Sequence, residues 1–258
     1  MRTSHQTGFR VVILLMGLLW AGSGCIKVDA TLNVERDGTG MLRAVYGMPT
    51  HIIKQAELAR QLAASLDFAE GKTNPAPVEL DIPFLYDETV LKARFSAMAK
   101  EGVTLDALKK REQGGWNYVD FTLKFTSLEA LAKQSLLRDF GLTVKHLDAT
   151  SCKLIVSLPP VGHTPEIAAV VTQESLSKLT PFFNGFRVVA RVTVPGEIRN
   201  SNSMISDRRR ATWEWDFDKD PSALVRLARD KMILVFDVSE ARITDFEKPA
   251  QGRSAEKE

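Results

Sequence analysis

The sequence predicts an α+β fold: antiparallel β-hairpins and sheet, with several amphipathic helices packed on them. Three observations carry this expectation. Segments of two-residue alternation recur along the chain, turns bearing Gly or Pro separate them, and stretches with apolar residues at helical spacing lie between the strand pairs.

The first strand is the clearest. Ile26, Val28, Ala30, Leu32 and Val34 are apolar, and Lys27, Asp29, Thr31, Asn33 and Glu35 between them are polar, so one face is buried. Asp37-Gly38-Thr39-Gly40 supplies turn chemistry, and Leu42, Ala44, Tyr46 and Met48 resume the alternation on a return strand. Thr50 can cap a helix whose apolar residues run through Ile52, Ala56, Ala59, Leu62, Ala63 and Leu66. Residues 71–79, with two prolines, form the candidate internal boundary. A second helix is expected from Asp87 to Lys100, stopped near Gly102, followed by a strand over 103–110 and a turn at Gly114-Gly115. Val119, Phe121, Leu123 and Phe125 then alternate with Asp120, Thr122 and Lys124. Ser127 opens a short helix, and strands are expected at 142–148 and 152–158. Thr164-Pro165 pairs an N-cap with a first-turn proline and opens a helix to about Leu179. The C-terminal part returns to strands at Phe186–Val194, around Trp213 and Trp215, and over 232–238, with a short helix after Asp220-Pro221. Apart from Pro249, residues 247–258 have no apolar side chain larger than alanine and read as a disordered polar tail.

Residues 1–24 have a different character. Arg2 and Arg10 are positive, no acid occurs, and Val11–Ala21 is an apolar run followed by Gly22, Ser23, Gly24 and Cys25. A positive n-region, a short apolar core and small residues before a cleavage point define a secretory signal. The run is shorter than the roughly 20 apolar residues that span a bilayer core of about 30 Å. Ala21-Gly22-Ser23-Gly24-Cys25 resembles a lipobox, in which the thiol takes a diacylglyceryl group and becomes the first residue of the mature chain. Acyl chains contribute about 0.8 kcal/mol per buried methylene, so two or three together anchor a domain stably. An ordinary secretory signal followed by a coincidental cysteine is the alternative.

Charge excludes one class of function. The 34 basic residues include Arg2 and Arg10; without those two, basic and acidic side chains balance at 32 each. The basic character belongs to the signal, and no domain-scale footprint for nucleic acid remains. The chain has 2 cysteines, and with Cys25 acylated no second thiol is left to form a disulfide with Cys152, which excludes a disulfide scaffold. Cys152 lies in a strand-like segment and reads as a buried structural thiol.

Catalytic and metal motifs are incomplete. Ser175 and Lys178 stand as Ser-x-x-Lys, without the Ser-Asp-Asn and Lys-Thr-Gly elements that such enzymes add. Asp216, Asp218 and Asp220 have the first spacings of a calcium loop, but Pro221 and Leu227 occupy the places of its Gly and its bidentate Glu. They read as strand carboxylates, with Asp220 capping the next helix. His51, His146 and His163 are far apart and give no zinc spacing. No cofactor is expected. Arg208-Arg209-Arg210 is the sharpest surface feature. It is either a solvated turn or a contact with anionic headgroups, where a basic residue contributes about 1 kcal/mol, provided the turn faces the membrane that holds Cys25.

Two stretches resemble the LppM-domain family of bacterial envelope lipoproteins: Cys25-Ile-Lys-Val28 with its strand and Asp37-Gly38-Thr39-Gly40, and Val192-Thr-Val-Pro-Gly-Glu-Ile198 with Ala211-Thr-Trp-Glu-Trp215. The resemblance implies an exported, lipid-anchored α+β domain over residues 25–246 without catalytic residues. The expectation is therefore a non-enzymatic protein of the cell envelope. It would be held to the membrane by its lipid and bind an envelope lipid or a protein partner. In a cell with two membranes, Ile26 lacks the Asp that retains lipoproteins at the inner one, so the periplasmic face of the outer membrane is expected. An accessory subunit of an envelope assembly is the alternative, with an envelope hydrolase behind it.

Overall fold

The computed structural model describes residues 26–55, 57–58, 87–134, 141–157 and 183–244. The signal, Cys25, the 71–79 boundary, the helix expected over 164–179 with Ser175 and Lys178, His163, and the tail over 247–258 lie outside the described residues.

Two sheets form the fold. Strand β1 (Lys27–Val34) pairs antiparallel with β2 (Gly40–Pro49) through the Asp37–Gly40 turn, where the Asp37 carboxylate accepts from the Thr39 amide and hydroxyl. β2 pairs in turn with β4 (Trp116–Phe125), and β4 with β3 (Val103–Gln113), through the Gly114-Gly115 hairpin. On its other side β1 runs parallel to β7 (Arg187–Thr193), which is followed in the sheet by β10 (Arg210–Asp216) and the short β9 (Ile205–Ser206). The resulting seven-stranded order is β3-β4-β2-β1-β7-β10-β9. The second sheet is antiparallel and has the order β5-β6-β11-β8, from Gly141–His146, Ser151–Ser157, Lys231–Asp237 and Ile198–Ser201.

Among the described residues the helices are few and short. Among the described residues, α1 (Glu88–Met98), α2 (Leu128–Ala132), α3 (Ala223–Arg229) and a 3-10 turn (Ala99–Glu101) are the helical elements with full bounds; residues 50–55 and 57–58 are also helical. The fold is therefore an α+β mix dominated by sheet, and the expectation of several amphipathic helices is corrected. The local signals that were read nevertheless mark real ends. Asp87 caps α1 by accepting from the amides of Thr89 and Val90, Ser127 caps α2 through the Ala130 amide, and Gly102 closes the 3-10 turn at φ 82°.

One core lies between the sheets. Leu32, Val34, Leu42, Ala44 and Tyr46 of the first hairpin join Val119, Phe121, Leu123 and Phe125 of β4 and Ala211, Trp213 and Trp215 of β10. Leu142, Val144, Cys152, Leu154, Val156, Met232, Leu234 and Phe236 of the second sheet complete the same cluster. Phe95 of α1 packs on Phe121 with ring centroids 5.0 Å apart.

Asn202 ties the two sheets together. Its Oδ1 accepts from Trp213 Nε1 (3.0 Å) on β10 and from the Ile233 amide (2.9 Å) on β11, and its Nδ2 donates to the Lys231 carbonyl (2.7 Å). The Trp213 side chain is buried, so its indole N–H has little access to water as a substitute partner. Asn202→Ala is expected to cost about 2 kcal/mol, from about 1 kcal/mol per lost bond with partial rescue by water. Urea denaturation would read this as a lower midpoint at unchanged slope.

Acid should weaken the turns at one end of the second sheet. The Asp148 carboxyl is held down at about 2, first by the Ser151 hydroxyl and then by the Thr150 amide and hydroxyl. Asp237 is held at about 2 by the Ser239 hydroxyl and amide, and then by Arg199. Both folded-state values lie below the ordinary 3.8, so the carboxylates stabilise the fold fully above about pH 4. That contribution is lost as pH falls from about 4 towards 2. The thermal midpoint should drop over this interval, and Asp148→Asn with Asp237→Asn should flatten the drop.

Candidate functional site

The outer face of the seven-stranded sheet is built from the polar half of each alternating strand. The register aligns these residues in rows across the strands. One row is Arg111, Tyr118, Gly47, Lys27, Arg187 and Asp216; the next is Lys109, Asp120, Val45, Asp29, Val189 and Glu214. A third row brings together Arg43, Thr31, Arg191 and Thr212. They border an open trough of about 510 Å³, lined by five cationic side chains (Lys27, Arg43, Arg111, Arg187, Arg191) and one carboxylate, Asp29.

Ion pairs order most of this face. Arg43 reaches Asp120 with two bonds, Nη2 at 2.7 Å and Nε at 3.2 Å, and Arg191 pairs with Asp29 across the parallel strands. Arg187 lies 3.1 Å from Glu214 and 3.6 Å from Asp216, and Lys219 Nζ sits 3.2 Å from each of the same carboxylates. Glu214 is accordingly held below the usual carboxylate range, first by the Lys219 hydrogen bond and then, against the cost of burial, by Arg187. Lys219 is raised, chiefly by its hydrogen bond to Glu214.

Two cations rest on aromatic rings instead. Lys27 Nζ stands 4.1 Å from the centroid of Trp116, and the Arg111 guanidinium 4.3 Å from that of Tyr118. The two rings stack at 6.2 Å with 21° between planes. Glycine makes room for the Tyr118 ring at Gly47, while at Gly185 a side chain would only touch Trp116. A Cβ on Gly47 would lie 2.5 Å from the Tyr118 ring, and one on Gly185 would lie 3.6 Å from Trp116. This corner is where the chain enters the sheet, since Ile26 directly precedes β1.

The sequence marked Arg208, Arg209 and Arg210 as one cluster, and the structure separates them. Arg208 reaches Glu197 at 3.5 Å, and Arg209 donates through Nε to the Val194 carbonyl at 3.0 Å. Arg210 stands opposite Thr193, which is level with Asn33 of β1, on the outer face. The turn thus lies six strand residues from Lys27, about 20 Å at roughly 3.3 Å per residue, at the end of the sheet away from the chain's entry. Cys25, the expected lipidation site, lies outside the described residues. The outer-face cluster of Lys27, Arg111, Trp116 and Tyr118 was not picked out from the sequence. Only the alternation of each strand hinted at it, because the register that aligns the strands is a long-range property.

The calcium-like carboxylates do not converge. Asp216 pairs with Lys219, Asp218 accepts from the Gly185 amide (2.9 Å), and Asp220 accepts from the Ser222 amide and hydroxyl ahead of α3. Among the described residues, no group of three His, Cys, Asp or Glu side chains could hold a metal ion. Cys152 is fully buried, and the register sets it opposite His146 on β5. Among the described residues, no helix is long and apolar enough to cross a membrane.

No family model matches the chain, and no curated protein matches it. A solved structure similar to it is the NMR structure of the folded domain of Mycobacterium tuberculosis LppM, 11% identical, covering 85% of this chain and 91% of that chain, with a TM-score of 0.37. At that identity and TM-score the likeness is too distant to carry a function, a partner or a site residue to this chain.

Proposed function

We propose that this protein is a lipid-anchored module of the bacterial cell envelope, non-enzymatic and extracytoplasmic, which presents a sheet surface to an envelope lipid or protein. The observation that carries the reading is the absence of any spacer: β1, a central strand of the seven-stranded sheet, begins at Lys27, two residues after Cys25. A diacylglyceryl group on Cys25 would hold the folded domain directly against the bilayer. The charged groups of the outer face favour binding over catalysis, because most are committed to ion pairs.

The alternative of an accessory subunit docking by its sheet edge has less support. The β3 edge carries Lys109, Lys110, Arg111 and Glu112 in succession, all exposed, and consecutive charges oppose strand addition.

Fractionation tests the proposal. The wild-type chain should sediment with membranes and stay there in high salt, because the acyl contribution is insensitive to ionic strength, while Cys25→Ala should lose this salt-resistant attachment. A wild-type protein extracted by salt alone would refute the anchor.

A further inference from the structure

We infer that the outer face of the seven-stranded sheet lies against the bilayer, with the Lys27–Arg111–Arg187 row seating anionic phospholipid headgroups and Trp116 entering the interface beside the anchor. The inference deepens the proposed function and rests on Cys25 as the anchor point. Three observations converge on it.

The first is position. Lys27 is two residues from Cys25, so its row is the part of the sheet that the anchor brings closest to the membrane. The Arg208–Arg209 turn lies at the other end. The second is chemistry. Trp116 and Tyr118 are half-buried rings carrying Lys27 and Arg111 on their faces, and amphipathic rings beside cations suit the headgroup layer. Trp213 and Trp215 are buried in the core, at 4% and 2% exposure, so Trp116 is the accessible tryptophan among the described residues. The third is charge and shape. Cations outnumber acids around the trough, and those acids are already paired with Arg43, Arg187, Arg191 and Lys219. Lys27 and Arg111, held over rings, can turn to a phosphate without breaking an ion pair. Ile205, 66% exposed at the far edge and paired with Thr212 of the same face, adds an apolar contact at the opposite side of the sheet.

The test uses residues 25–258 carrying Cys25→Ser and made without the export signal, a chain that contains the whole described core. Binding to vesicles of phosphatidylglycerol with brominated phosphatidylcholine is followed by tryptophan quenching. Quenching is expected with phosphatidylglycerol present, fading as salt rises, and absent with the neutral lipid alone. Trp116→Phe should abolish it, since the core tryptophans lie beyond reach of the bromines. Lys27→Gln with Arg111→Gln should weaken binding about twenty-five-fold, at about fivefold per cation near an anionic surface, while Arg208→Gln should change it by less than about twofold.

Circular dichroism and the thermal midpoint show whether each variant is folded. A folded double variant that binds as wild type does, or a wild-type Trp116 left unquenched, would overturn the inference. So would binding of soluble glycerophosphoglycerol as tight as that of vesicles, since the trough would then be an anion pocket. The chain tested is unacylated, so its failure leaves the Cys25 anchor standing. The loss of the anchor would instead appear in the fractionation of the acylated protein.

Discussion

Gly196→Ala is expected to destabilise the fold by about 3 kcal/mol or more, the upper range for an overpacked site. Gly196 belongs to the Pro195-Gly196 turn, where the chain leaves β7 of the first sheet and enters β8 of the second. The turn is pressed against the end of β11: the Asp237 amide donates to the Glu197 carbonyl at 2.9 Å, and a Cβ on Gly196 would lie 2.0 Å from the Asp237 carbonyl oxygen. Two backbones meet there, so no side-chain rotation can relieve the overlap. The sheets must separate locally or the turn must refold. Gly115→Ala makes the complementary comparison. Gly115 has φ 75° but open space around it, so alanine there carries only the left-handed backbone penalty of about 1 kcal/mol. Thermal unfolding of both variants should show the Gly196 change lowering the midpoint at least twice as far. Equal shifts would mean that the sheet junction yields easily.

Phe236→Ala should cost about 3–5 kcal/mol, the range for emptying a buried aromatic site. Phe236 is fully buried on β11, opposite Cys152 on one side and Ile198 on the other, and it faces the shared core. Neighbouring Val235 points to the other face of the sheet and is only half-buried. Val235→Ala should therefore cost about 1 kcal/mol. A large effect at both positions would mean that the second sheet is covered on both sides. Urea denaturation of the pair measures the contrast.

These two sites show what the sequence made legible. The alternation of Met232, Leu234, Phe236 and Val238 assigned the inward face of β11 correctly. The Asp37–Gly40 turn, the Asp87 cap and the stop at Gly102 were equally readable, because each is set by residues a few positions apart. The junction at Gly196 was visible as a turn, yet the passage between two sheets was not, since it depends on β11 arriving from about 40 residues downstream. The parallel pairing of Lys27 with Arg187 had no local signature for the same reason. The sequence assigns no element to residues 198–206, yet they contain two short strands and the Asn202 clamp. Short edge strands with exposed polar residues leave little periodicity to read. At the candidate site, individual strands declared a polar face, but only the register gathered Lys27, Arg111 and Arg187 into one row. The basic run at 208–210 drew attention because its charges are adjacent in sequence, and the fold sends them in different directions.

The proposed function stands or falls on Cys25 carrying lipid and holding this domain at a membrane. Intact-mass measurement of the protein from the membrane fraction, beside Cys25→Ala, tests it most directly. A chain that begins at Cys25 and is heavier by at least a diacylglyceryl group is expected, with that species absent from the variant. An unmodified chain recovered in the soluble fraction, or a mature N-terminus at another residue, would contradict it.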